Sequence, residues 1–198
     1  LAEKLGAIAC ALADAAIVRV EVGVQGAVVE HDVRVLELSA TKGVFQTLVH
    51  DPVSFVNAPV LAEQRGVEIS LKTDLVSEDH KNLVTVSITQ TDGVTVSISG
   101  TVAGSQHQAK VVDLDGFDID VPVSSHMAFF RYHDRPGVVG LVGNLLGGAG
   151  INIAGMQVSR DYEEHALMVL TVDSPITHEL VDQITTDIGA HTGKAVTL

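Results

Sequence analysis

The 198-residue chain is 46% hydrophobic and 19% charged, lacks Trp and carries a formal net charge of −13. Such a composition buries an aliphatic core and excludes a disordered chain, and the negative charge, with no basic stripe to offset it, argues against nucleic acid as a partner. The one cysteine, Cys10, has no partner for an internal disulfide, which points to a reducing compartment and a cytoplasmic location.

Leu1, Leu5, Ile8 and Leu12 recur at helical spacing among alanines, so a helix is predicted up to Ala15. The chain opens inside this helix at Leu1 and not at Met, and the expectation is a piece of a longer protein whose preceding part ends in residues 1–16. Ile17 to Val24 alternates as a strand, Val33 to Leu38 reads as a second strand, and the pattern turns helical from Ser39. Asp51-Pro52 breaks that helix. Asn57 then caps a new one, with Pro59 in its first turn and Arg65-Gly66 at its end. From Val67 to Val123 nearly everything is strand, with turns at Thr91-Asp92-Gly93 and at Asp115-Gly116, the strongest short hairpin signal present. Hairpins with one apolar face must pack on the helices before them, giving an α+β domain over 17–123.

Over residues 126–198 the order is clearer. Met127 to Tyr132 is a strand, and His133 to Gly137 turns into a helix with Val138, Leu141, Val142 and Leu145 on one face, stopped by Gly147 to Gly150. Ile151 to Ser159 is a strand, Arg160 to Glu164 a polar turn and Ala166 to Val172 another strand. Thr177 caps a helix through Ile188, and Ala195 to Leu198 closes the set. The predicted class is α+β in two domains, the first with a mostly antiparallel sheet and the second a ferredoxin-like βαββαβ unit. The most apolar stretch, Gly137 to Ala154, is interrupted by Asn144 and Asn152 and falls short of a spanning helix, so no membrane partner is expected.

Most reactive chemistry finds no motif. Gly148-Ala149-Gly150 ends a helix where a dinucleotide loop would begin one, no Walker loop exists, and no cofactor is expected in these residues. Asp113, Asp115, Asp118 and Asp120 read as a solvated acidic hairpin, because Ser124 stands where a calcium loop needs its bidentate acid. The nine histidines are scattered without a helical ligand pair, so no metal site is expected, and nothing supports a catalytic nucleophile.

What remains is the turn from Tyr132 to Gly137, with Asn152 as its companion. Both lie at one end of the predicted sheet on strands read as neighbours, so Asp134 would meet an ammonium group, Asn152 would donate and accept, and the helix start beyond Pro136 would hold a carboxylate. Those groups suit a zwitterionic amino acid. From spacing alone the plainer account is a capping Asp and a turn Asn.

At these residues a family likeness enters. Phe130 to Gly137, Leu145-Leu146 and Ala149-Gly150-Ile151-Asn152-Ile153 resemble the ACT domain that ends D-3-phosphoglycerate dehydrogenases. Val35 to Ala40, Gly43-Val44-Phe45 and Phe55-Val56-Asn57-Ala58-Pro59 resemble the intervening, allosteric substrate-binding domain in the long form of that enzyme. The resemblance implies the regulatory end of an NAD-dependent oxidoreductase of serine biosynthesis, with NAD held by the parent enzyme and no catalytic residue in this part. It further implies L-serine as effector, bound between ACT domains of at least a homodimer, with Tyr132, Asp134 and Asn152 as contacts. Lys110 matches an anion-binding position of the intervening domain, whereas Pro122 and Thr171 stand where arginines are expected. Two further readings share these features: the small chain of an iron–sulfur L-serine dehydratase, and a non-enzymatic amino-acid-binding or oligomerisation module.

Overall fold

The structure, a computed structural model, describes residues 1–161 and 165–198, and the chain divides into two units, Leu1–Gly116 and Phe117–Leu198. The first contains α1 (Ala2–Leu12), β1 (Ile17–Gly26), α2 (Arg34–Leu48), α3 (Ala58–Gln64), β2 (Glu68–Asp74), β3 (Asn82–Gln90), β4 (Thr95–Ala103) and β5 (Gln108–Leu114). Its strands run in the order β2-β1-β3-β4-β5, with β2 parallel to β1 and the other pairs antiparallel. Alternation decides the faces. Val20, Val22 and Val24 of β1 and Val86, Ile88 and Ile98 beside them are buried together with Leu5 and Ile8 of α1, while hydroxyl pairs Thr85–Ser99 and Ser87–Ser97 run across β3 and β4, at 2.8 and 2.9 Å.

Two local expectations change. Val33 to Leu38 is not a strand: α2 begins at Arg34 and runs unbroken to Leu48. The residues it buries are Ala40, Thr41, Gly43, Val44 and Phe45, one face of a helix, while Val35 is 55% exposed. Packing of that face against α1 outweighs the β-branched preference of a short apolar run. Asn57 precedes α3 but gives it no side-chain cap; its Oδ1 instead accepts the Ser54 N–H at 2.6 Å and holds the turn before the helix. The Asp115-Gly116 turn is as expected, both residues having positive φ, 50° and 85°.

The second unit comprises β6 (Phe117–Pro122), β7 (His126–His133), α4 (Val138–Gly148), β8 (Ile153–Arg160), β9 (His165–Val172), α5 (His178–Ile188) and β10 (Thr192–Thr197). From β7 onward this is the predicted βαββαβ order, in an antiparallel sheet β10-β7-β9-β8. Ala128, Phe130 and Tyr132 of β7 share a buried cluster with Met168 and Leu170 of β9, Val138, Val142 and Leu146 of α4, and Val181, Ile184 and Ile188 of α5. Thr177 caps α5 as predicted, its hydroxyl accepting the Leu180 N–H at 3.3 Å. β6 lies beside β8, where the Asp120 N–H donates to Gln157 Oε1 at 2.8 Å. The predicted polar turn at Arg160 to Glu164 falls partly outside the described residues. Among the described residues no helix is long and apolar enough to cross a membrane.

Candidate functional site

β7 delivers Tyr132 and His133 to one end of the second unit's sheet, and Asp134 follows in the turn to α4. Successive strand residues face opposite ways. Tyr132 therefore points into the helix-covered core, 1% exposed, while His133 is exposed on the other side. Burial pushes the Tyr132 phenol upward, the Asp134 charge adds to that, and Arg160 pulls it back. Those three side chains thus form one electrostatic group. Within it Asp134 Oδ2 and Arg160 Nε are in direct contact.

Asp134 does not cap α4. Gly137 stands at the N-cap with φ 93° and has no side chain to offer, so among the described residues the first turn carries no side-chain cap. The opening N–H groups of α4 are thus available to an anion, an arrangement favoured by the helix dipole. Arg135 is occupied elsewhere, donating to the Ile188 carbonyl at the end of α5 at 3.2 Å.

Asn152 is not beside this turn. The strands bearing them are not neighbours, because β9 lies between β7 and β8. His133 is level with His165, whereas Ile153 is level with Val172, which is itself opposite His126. Seven strand residues separate the two levels, about 23 Å at the usual rise. Asn152 and Asp134 therefore occupy opposite ends of the sheet, and one chain does not converge them. At its own end the Asn152 N–H donates to Asp173 Oδ1 at 3.0 Å, and an open cleft of about 450 Å³ is lined by the preceding Gly150 and Ile151 with Ser174, Pro175 and Thr177.

Two further residue groups bear on function. Lys110 is half-buried on β5 across from Thr101. Three of the histidines that look scattered in sequence, His133, His165 and His191, meet at the Asp134 end of the sheet. Neither Arg160 nor this trio carries a local motif. Only the register of β7, β8, β9 and β10 brings them together, so no spacing rule could have found them.

A βαββαβ sheet with an uncapped turn into its first helix, following a separate α+β unit, defines a two-part chain that ends in an ACT domain; the family model for the ACT domain matches residues 126–188. The model for the D-3-phosphoglycerate dehydrogenase intervening domain matches residues 1–115, and the chain belongs to that family. Among curated relatives, the D-3-phosphoglycerate dehydrogenase of Mycobacterium leprae is 37% identical over 98% of this chain and 37% of its own length. That of Mycobacterium tuberculosis is 36% identical over 100% of the chain and 38% of its own length, and that of Synechocystis 33% over 100% and 36%. The chain thus spans a little over a third of the relatives it matches.

Proposed function

We propose that this chain is the regulatory region of an NAD-dependent D-3-phosphoglycerate dehydrogenase, in which the ACT domain over 126–198 senses L-serine and the domain over 17–123 links it to a catalytic half. The observation that carries this reading is the succession of an intervening-domain match and an ACT match on one chain. Dehydrogenase relatives aligned along nearly all of it favour this over the dehydratase small chain. In this reading catalysis and NAD belong to the remainder of the parent enzyme, which is cytoplasmic, and residues 1–16 lead out of it. Lys110 offers the intervening domain one cation for a phosphorylated ligand; a single lysine holds phosphate weakly without partners.

The effector site is proposed to form between two copies. β8 is the last strand of its sheet, with Arg160 and its partner Asp134 at one end and Asn152 just ahead of the other. Pairing β8 with the same strand of a second copy around a two-fold axis is antiparallel, so it sets each end against the opposite end of its partner. Asn152 of one copy then meets Asp134, Arg160 and the α4 N-terminus of the other. Asp134 takes the serine ammonium, while Arg160 and the α4 N–H groups take its carboxylate. Serine shifts the parent enzyme only by its preference for the paired orientation over others.

Calorimetric titration of the chain with serine, glycine and phosphoserine tests this. Millimolar or tighter serine binding, weakened in both Asp134→Ala and Asn152→Ala, is the expected result. Absence of binding heat from a confirmed dimer would overturn it.

A further inference from the structure

His133 closes β7, His165 opens β9 directly across from it, and His191 precedes β10 on the other flank of β7. Their rings meet. Centroids lie 4.7 Å apart for His133–His165, 4.7 Å for His133–His191 and 6.0 Å for His165–His191. One ring nitrogen from each lies within 4.8 Å of the other two. Behind them Asp161 holds His165 twice, with Oδ2 at 3.1 Å from Nδ1 and Oδ1 accepting the backbone N–H at 2.9 Å.

We propose that His133, His165 and His191 bind a divalent transition-metal ion of the zinc type, with Asp161 as the residue that positions His165. The donor set decides the class of ion. Three imidazoles with no carboxylate among them suit Zn²⁺, Co²⁺, Ni²⁺ or Cu²⁺, whereas Ca²⁺ and Mg²⁺ require oxygen donors. The Asp161 contact is the support that metal-binding histidines recurrently have. With Nδ1–H directed to the carboxylate, the lone pair on His165 Nε2 is left for the ion and the ring is fixed in orientation.

Distances fit after a small closure. Zinc holds imidazole nitrogens at about 2.0–2.1 Å, which sets donors about 3.3 Å apart in a tetrahedron. The trio must close by about 1.5 Å at most, and ring rotation about χ1 and χ2 supplies this for His133 and His191, both exposed. The nearby Arg160 guanidinium is neutralised by Asp134. Among the described residues three supply ligands, which leaves one coordination position for water or a further ligand. Bound there, the ion ties together three adjacent strands at one end of the sheet, next to the turn that carries Asp134. None of this depends on the effector reading.

The test uses the full chain, freed of metal by chelation and titrated with Zn²⁺, then with Co²⁺ as an optical probe. The expected result is one ion per chain, visible ligand-field bands from bound Co²⁺ and a higher melting temperature with Zn²⁺. His133→Ala, His165→Ala and His191→Ala should each weaken binding by about tenfold or more, and Asp161→Asn by about tenfold while keeping the Co²⁺ bands. His178→Ala, outside the cluster, should bind as the unchanged chain does. The proposal is overturned by no stoichiometric uptake of Zn²⁺ or Co²⁺, or by uptake undiminished in a variant with all three histidines changed to Ala. If the rings only stack, the variants lower the melting temperature of the metal-free chain and Zn²⁺ leaves that of the unchanged chain where it was. That too refutes the site. Circular dichroism of each variant confirms that a lost signal is not a lost fold.

Discussion

At Asp134 a carboxylate faces Arg160, whose side chain is 66% exposed. An ion pair so open to water contributes little to stability, about 0–1 kcal/mol. Arg160→Ala should accordingly move the urea midpoint by an amount equivalent to less than about 1 kcal/mol. If Arg160 takes the serine carboxylate, the same change should weaken calorimetric serine binding by about tenfold, since a charge-assisted contact is lost. An unchanged affinity would remove Arg160 from the effector site. Cys10 has the opposite surroundings. Buried in α1, its thiol is pushed by desolvation to about 11, from 9.0 when exposed. Between those values the unfolded chain releases the proton and the folded chain keeps it, so this group makes stability fall as pH rises from about 9 to 11. Chemical denaturation across that range should show a shallower alkaline decline in Cys10→Ala than in the unchanged chain. Native Cys10 should also resist alkylating reagents until urea exposes it.

Helix contacts separate what sequence patterning reveals from what it hides. The α1–α2 approach rests on Gly6 and Gly43, where an added Cβ would stand 2.2 Å from the Ala40 carbonyl oxygen and 1.9 Å from that of Glu3. Both obstacles are backbone, which cannot rotate aside. Gly43→Ala should therefore cost about 3 kcal/mol, at the upper end for overpacking, as read from urea unfolding. Thr177→Ala, which removes only a cap hydrogen bond, should cost about 1 kcal/mol. Periodicity and capping rules recovered α5, α4 and the β3–β4 hairpin because those signals are local. They misread Val33 to Leu38 because four apolar residues in six satisfy either period, and only the partner helix decides. They also set Asn152 beside Asp134 because chain order does not show that β9 inserts between β7 and β8. The His133, His165 and His191 group was illegible for the same reason. Two of its members end and open the neighbouring strands β7 and β9, the third stands just before β10, and they meet only through strand register.

At the scale of the whole molecule, the separation of Asp134 from Asn152 becomes a test of assembly. A site built within one chain needs both residues on that chain; a site across a two-fold axis needs one from each. Mixing Asp134→Ala chains with Asn152→Ala chains distinguishes the two. In a mixed dimer, the intact Asn152 of the first variant faces the intact Asp134 of the second, and the other site loses both residues. With random exchange half the dimers are mixed and each keeps one of two sites, so about a quarter of the serine sites should return. Neither variant alone should bind at the same concentration. The recovery must require unfolding and refolding together, or slow exchange, and it should vanish on dilution below the dimer dissociation constant. Restoration without exchange of subunits, or none after verified exchange, would place the effector within a single chain or away from these residues. The histidine cluster supplies an internal control for that experiment. Its ligands all come from one chain, so zinc uptake by the Asn152→Ala chain, whose substitution lies at the other end of the sheet, should be complete before mixing and unchanged after it.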